Sequence, residues 1–194
     1  MQNNLALFLK NKYFLALCLY LKKDINNKTF TELFIGYKNN YLVLNIPLFI
    51  RTIKILLNLI KQIATDNGTF LFLATNNKIL DYIIQQNCLQ LNNSVYLASV
   101  TLTKTDAINK LIYFPDLIIS TNSLTNQNFL HKIRNYNIPT ICLTSNLNLI
   151  NQTMYTLILN NQSLYSNLIF YTLIFKQIQQ TKKILGVQYF NNAY

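Results

Sequence analysis

Acid–base or metal chemistry in this chain would have to come from Asp24, Glu32, Asp66, Asp81, Asp106, Asp116 and His131, joined by Cys18, Cys88 and Cys142. The six acids form no recognisable general-acid and general-base pair and no metal-ligand spacing. Asp116, next to Pro115, reads as a strand-start or turn residue. His131 has no nucleophile and carboxylate at an identifiable separation, so it reads as a hydrogen-bonded surface or boundary residue. Three cysteines this far apart read as buried or incidental thiols. Gly36, Gly68 and Gly186 are too dispersed to build a dinucleotide fingerprint or a phosphate loop. The polar stretches Thr75-Asn76-Asn77 and Ser120-Thr121-Asn122 could line a crevice at the carboxyl edge of a parallel sheet. Without those fingerprints, neither an enzyme nor a cofactor is predicted.

What remains is the binding of anions. Seventeen Lys and Arg stand against six acids, a formal charge of +11, so the charged surface is scarce and almost one-signed. That favours nucleic acid or an anionic membrane face as partner. The first basic cluster is Lys10, Lys12, Lys22, Lys23 and Lys28, followed by Lys38. Arg51, Lys54 and Lys61 are spaced to run along one helix flank. Lys132 and Arg134, beside His131, make a smaller patch, and Lys176, Lys182 and Lys183 lie near the C-terminus. Each group serves either as a solvated face or as a contact to RNA.

The elements that must carry these groups follow from the apolar pattern. Leu117 to Ser120 is continuous rather than alternating, as in a strand covered on both faces, and Pro115 marks its start. Leu124, Phe129, Ile133 and Tyr136 then recur near helical spacing until Asn137 and Pro139. Thr140 to Leu143 is a second apolar strand, so the unit reads β-α-β, with parallel strands and a right-handed connection. Upstream, residues 5–21 form a helix apolar almost all round, and 22–40 form a polar, basic, irregular stretch. Tyr41 to Ile46 is a strand that extends the same sheet. Pro47 opens a helix with Ile50, Ile53, Leu57, Ile60 and Ala64 as its buried stripe. Gly68 is available for a left-handed position after that helix. Thr69 to Ala74 is a covered strand, Ile79, Tyr82, Ile83 and Gln86 lie on a short helix, and Val95 to Ala98 is a weaker strand. Residues 101–110 make a loop with room for one helical turn. Tyr155 to Leu159 is the last strand, after which Asn160 to Ser163 cap a helix carrying Leu164, Leu168, Tyr171, Phe175 and Ile178.

The predicted fold class is α/β in three layers, a mostly parallel sheet of flavodoxin-like or Rossmann-like type with helices on both faces. Its organisation is an N-terminal helix and basic arm over 1–40, an α/β domain over 41–181 and a frayed basic tail over 182–194. Phe14 to Leu21 is bracketed by Lys10, Lys12, Lys22 and Lys23 and is shorter than the run of about 18 apolar residues a spanning helix needs, so no membrane insertion is expected. A signal peptide is the alternative use of this segment, against which stand the lack of a basic start and of a small-residue cleavage site. The chain has 29 Asn and no Trp. Asn, Lys, Ile, Tyr and Phe have AT-rich codons, which fits an AT-biased organelle genome, and a protein made inside an organelle needs neither a signal nor a transit peptide.

In this order the segments resemble the small-subunit ribosomal protein two family. Phe70-Leu71-Phe72-Leu73-Ala74-Thr75 is similar to its first apolar strand, and Thr101-Leu102-Thr103 matches its Thr-Leu-Thr segment. Phe114-Pro115-Asp116-Leu117-Ile118 matches the proline-aspartate start of its central strand. Asn137-Ile138-Pro139 matches its Gly-Ile-Pro turn with Asn in place of Gly, and Leu143-Thr144-Ser145-Asn146 stands at its aspartate-threonine-asparagine loop. Ile158-Leu159-Asn160-Asn161 corresponds to its Ile-Pro-Gly-Asn. The match covers roughly 29–180. The family's glycine pair and aromatic-basic segment before Thr-Leu-Thr are absent, and so is its helical-hairpin insertion, of which only 104–114 remains.

The resemblance implies a reduced, organelle-encoded structural protein of the small ribosomal subunit. The expected location is the mitochondrial ribosome, ahead of the plastid one. The expected partners are small-subunit rRNA and neighbouring small-subunit ribosomal proteins, with no homo-oligomer. The alternative is a non-ribosomal RNA-binding assembly protein on a degenerate α/β domain. Lysine and arginine can hold phosphates without reading bases, so charge and shape suffice for a fixed site on RNA. Residues 5–21 are expected to pack on a neighbouring protein or RNA, and the N-terminal lysines to carry much of the incorporation.

Overall fold

The computed structural model describes residues 20–22, 33–38, 41–98, 114–121, 124–145 and 153–191. Three continuous apolar runs set the architecture. β4 (Phe70–Leu73), β6 (Leu117–Thr121) and β7 (Thr140–Thr144) are buried at every position, which requires cover on both faces and suits parallel pairing. With β5 (Ser94–Leu97) and β8 (Tyr155–Ile158) they form a five-stranded sheet of order β5-β4-β6-β7-β8, every neighbouring pair parallel. In chain order this is 2-1-3-4-5, the flavodoxin-like arrangement, with its switch point between β4 and β6.

Helices cover both faces. On one lie α1 (Ile46–Thr65), α2 (Lys78–Gln90) and α4 (Leu164–Asn191), packed on Phe70, Phe72, Leu117, Ile119, Ile141, Leu143 and Leu157. On the other, α3 (Leu124–Arg134) places Phe129, Leu130 and Ile133 against Leu71, Leu73 and Ile118. The alternate residues of β4 and β6 therefore feed two separate cores, as the two-residue side-chain period demands. The three-layer α/β fold expected from the sequence is present. Phe72 anchors the larger core: it is fully buried and stacks on Phe175 with ring centroids 4.8 Å apart, Tyr171 lying at 6.2 Å.

The helical stripes are close to those expected. On α1 the buried line is Phe49, Ile53, Leu56, Ile60 and Ala64, with Ile50 and Leu57 half-buried at its flanks. On α4, Tyr171, Phe175 and Ile178 are buried, while Leu164 and Leu168 pack partly buried against the same core. On α2 the covered side is Leu80, Ile84 and Cys88, and Ile79 and Tyr82 face solvent.

Several expectations are corrected. Tyr20–Lys22, read as the end of an apolar helix and the start of an irregular stretch, is a strand (β1), and Phe34–Lys38 within that stretch is another (β2). They flank β3 (Tyr41–Leu44) in a separate antiparallel sheet of order β1-β3-β2. So β3 does not extend the parallel sheet, and this small sheet crosses the expected boundary at residue 41. Pairing with β3 satisfies backbone groups that a local reading assigns to helix or coil. Residues 5–19 and 101–110 lie outside the described residues. At the other end, α4 continues to Asn191, through most of the expected tail.

Gly68 is also used differently. The left-handed residue after α1 is Asn67, with φ 56°, and its short polar side chain tolerates that conformation. The Gly68 N–H donates to Ile63 O at 2.9 Å and closes the helix end. Gly68 is required by space: a Cβ there would meet Ile63 Cγ2 at 2.5 Å and Asp116 Oδ2 at 3.1 Å. Asn137, at the turn after α3, is the second non-glycine residue with positive φ among the described residues, at 54°.

Candidate nucleic-acid interface

Because all five strands of the main sheet are parallel, its two ends differ chemically. Two aspartates tie those ends down, both through the threonines that bracket β4. At the N-terminal end the Thr69 N–H and hydroxyl donate to Asp116 Oδ2 at 2.7 and 3.1 Å, and the Asp116 N–H donates to Thr69 O at 3.0 Å. At the C-terminal end the Thr75 N–H and hydroxyl donate to Asp81 Oδ1 at 2.7 and 2.8 Å. Asp116 thus has the strand-start role expected of it.

The C-terminal end holds the polar crevice anticipated from Thr75-Asn76-Asn77 and from Thr121. It encloses about 340 Å³ at the switch point and is walled also by Ser145, Asn161 and Asn167. Its side chains are largely committed to the chain itself. Asn77 Oδ1 caps α2 by accepting from the Ile79 and Leu80 N–H groups. The Ser145 hydroxyl donates to Asn161 Oδ1 at 2.6 Å, and Asn167 Nδ2 donates to Asn161 O at 2.7 Å. Beneath it, the buried Asn126 Nδ2 donates to Ala74 O at 2.8 Å and stitches α3 to the end of β4. Among the described residues none that lines the crevice is charged, although Lys78 stands exposed beside it at the start of α2. Amides and hydroxyls alone supply no general base, nucleophile-activating partner or fixed charge for a phosphate. Among the described residues no group of three His, Cys, Asp or Glu could hold a metal ion.

The N-terminal end is different. α1 and α3 lead straight into β4 and β7, so their last turns lie at the start of the strands. α4 has 28 residues, about 42 Å of helix against about 17 Å for a five-residue strand, so its later turns run past the sheet. On α1, Arg51, Lys54 and Lys61 are all exposed and fall within about a quarter-turn of helix arc, opposite the buried stripe; Lys61 lies near this end, whereas Arg51 and Lys54 lie about 15 and 10 Å further back along the helix, toward the carboxyl end of the strands. On α3, His131, Lys132 and Arg134 are exposed in the last turn, where cations also suit the helix dipole. Lys176 and Lys183 are exposed on α4. Lys182 is half-buried, and that burial lowers its pKa.

The structure does not gather the candidate cations into one patch. Arg51, Lys54, Lys61, Lys176, Lys182 and Lys183 belong to one helical layer, and Lys132 and Arg134 to the other. Lys22 and Lys38 lie in β1 and β2 of the small sheet. Lys10, Lys12, Lys23 and Lys28 lie outside the described residues.

Beside Lys132 and Arg134 is a feature that sequence reasoning misses. Phe114 and Tyr136 are 60% and 50% exposed, and their rings form a tilted pair with centroids 5.4 Å apart. The apolar spacing places Tyr136 on the buried stripe of α3. Instead α3 ends at Arg134, and the Tyr136 N–H donates to Ile133 O at 2.8 Å in the turn beyond it. The signal is the alternation of cations and an aromatic in His131-Lys132-Ile133-Arg134-Asn135-Tyr136.

The cysteines behave as buried thiols where they are described. Burial pushes Cys88 up to about 12 and Cys142 up to about 11, so neither is a thiolate at neutral pH. No helix among the described residues is long and apolar enough to cross a membrane. Compared with models of known protein families and with curated proteins, the chain matches none.

Proposed function

We propose that this chain is a structural protein of an organellar small ribosomal subunit, bound to small-subunit rRNA and to neighbouring ribosomal proteins. The observation that carries the reading is how the charge is spent. Asp81 and Asp116 accept hydrogen bonds from Thr75 and Thr69 at the strand ends, whereas Arg51, Lys54, Lys61, Lys132 and Arg134 stand exposed on helices of both layers. Cations held on rigid helices neutralise phosphates at little ordering cost, and they need read no base to hold a fixed place on folded RNA. The ordered segments from Phe70 to Asn161 that resemble the small-subunit ribosomal protein two family support the same reading. The Asn-rich, AT-type composition fits an organelle genome, and the mitochondrial particle is placed ahead of the plastid one. In this proposal Lys10, Lys12, Lys22, Lys23, Lys28 and Lys38 extend the contact from the N-terminal region. One copy occupies each particle, without homo-oligomer formation or direct membrane insertion.

The test is sedimentation of organelle lysates through a high-salt gradient, followed by cryo-EM of the small-subunit fraction. Expected is comigration of the chain with the small subunit and density for a five-stranded parallel sheet against rRNA. A chain that binds RNA yet leaves the particle in high salt would overturn the ribosomal assignment and leave a non-ribosomal RNA-binding assembly protein. A chain that binds no RNA would overturn both.

A further inference from the structure

We propose that Phe114 and Tyr136 form a stacking platform for an unpaired RNA base, with Arg134 and Lys132 holding the phosphates on either side of it. This site rests on the RNA-binding reading above and assigns it a contact that charge alone does not require. Singly exposed rings such as Tyr82 and Tyr165 are ordinary on a protein surface, but two exposed rings in contact make a contiguous apolar face. Here two are held together, and every base offers a π-face to such a surface. The cationic last turn of α3 lies directly before Tyr136, which suits a polyanion better than an apolar protein face.

The platform is set on fixed backbone. Pro115 is buried, and Asp116 is held to Thr69 by four hydrogen bonds, fixing the chain just after Phe114. The turn at Tyr136 is held by its bond to Ile133 O and by the left-handed Asn137, whose N–H donates to Arg134 O at 3.2 Å. Little order remains to be gained on binding, and an aromatic side chain has only two torsions to lose. Asn137, the residue after Tyr136, and Arg134 line a concavity of about 250 Å³ together with Leu130, Ile138, Met154 and the hydroxyl-bearing Thr140 and Thr153. An apolar and amide surface with a guanidinium in its wall suits the ribose and phosphate of the adjoining nucleotide. Of the described acids at this edge, Asp116 has an oxygen engaged by Thr69, and Asp66 stands exposed at the C-cap of α1.

The experiment uses the full chain and two fluorescein-labelled single-stranded probes, an oligoadenylate 12-mer and an abasic ribose-phosphate 12-mer of equal charge, titrated from low to physiological salt. Expected is roughly 10-fold tighter binding of the oligoadenylate by the unaltered protein. Phe114→Ala with Tyr136→Ala, and separately Tyr136→Leu, which keeps apolar bulk and guards against a folding defect, should remove that preference without changing the salt slope. Lys132→Gln with Arg134→Gln should flatten the slope equally for both probes. Equal binding of the two probes by the unaltered protein, or a preference that survives both aromatic variants, would overturn the stacking site while leaving RNA binding intact. No binding of either probe at any salt would overturn this site and the RNA-binding reading together.

Discussion

The two ends of the parallel sheet have nearly the same clamp and opposite surfaces. Thr69 and Thr75 are tied to Asp116 and Asp81 by the same pair of bonds, an N–H and a hydroxyl to one carboxylate oxygen. Beyond the clamps, the C-terminal end turns its amides and hydroxyls inward: Asn77 caps a helix, Asn126 holds β4, and Ser145, Asn161 and Asn167 bond one another. The N-terminal end leaves Lys61, Lys132, Arg134, Phe114 and Tyr136 exposed. In an α/β sheet of this topology the carboxyl edge is the usual ligand site. Here the crevice is lined by uncharged side chains, with Asp81 and the exposed Lys78 beside it in the first turn of α2, whereas the opposite edge has several exposed cations next to exposed aromatic rings. The position of a crevice is a property of the fold, whereas what binds is decided by which side chains remain uncommitted.

The largest effect should come from the core that both ends share. Phe72→Ala removes a fully buried ring stacked on Phe175 and is expected to cost about 3–5 kcal/mol, read from urea denaturation. A loss under about 1 kcal/mol would mean that the two ends are not supported by a common core. Next come the clamps. Asp81→Ala should cost about 2–3 kcal/mol and Asp116→Ala about 1–2 kcal/mol, since a charged hydrogen-bond acceptor is removed in each and Thr75 is the more deeply buried of the two threonines. Equal or reversed costs would break the comparison of a sealed end with an open one.

A smaller effect on stability, with a larger one on binding, is expected from Lys61→Gln, Lys132→Gln and Arg134→Gln together. RNA affinity should fall roughly 10-fold near physiological salt, and the slope of log K against log salt should flatten by about 0.7 for each phosphate that is no longer neutralised. Unchanged titrations would remove the N-terminal edge as the interface. The smallest effect belongs to the crevice. Asn76→Ala and Gln162→Ala, at two exposed lining residues, should change RNA affinity less than about twofold, because neither side chain carries a charge to pair with phosphate. A larger change would move the interface to the other end of the sheet.

The β-α-β centre, the parallel sheet and the buried sides of α1 and α4 were legible in the residues alone. Continuous apolar runs such as Leu117 to Ile119, and repeats such as Ile53, Ile60 and Ala64, encode burial within a few residues of themselves. The one-signed charge was equally legible, being a sum over the chain that needs no fold. Only the tertiary structure decided that Tyr20–Lys22 and Phe34–Lys38 are strands, because their partner β3 satisfies backbone groups that no local pattern pairs. It alone brought Asp116 to Thr69, 47 residues away, and Phe114 to Tyr136. It also set the candidate cations in two layers rather than one patch. Helix period and apolar pattern report which side of an element is covered. Which elements meet at an edge depends on strand order, and that is settled by packing between segments distant in the chain.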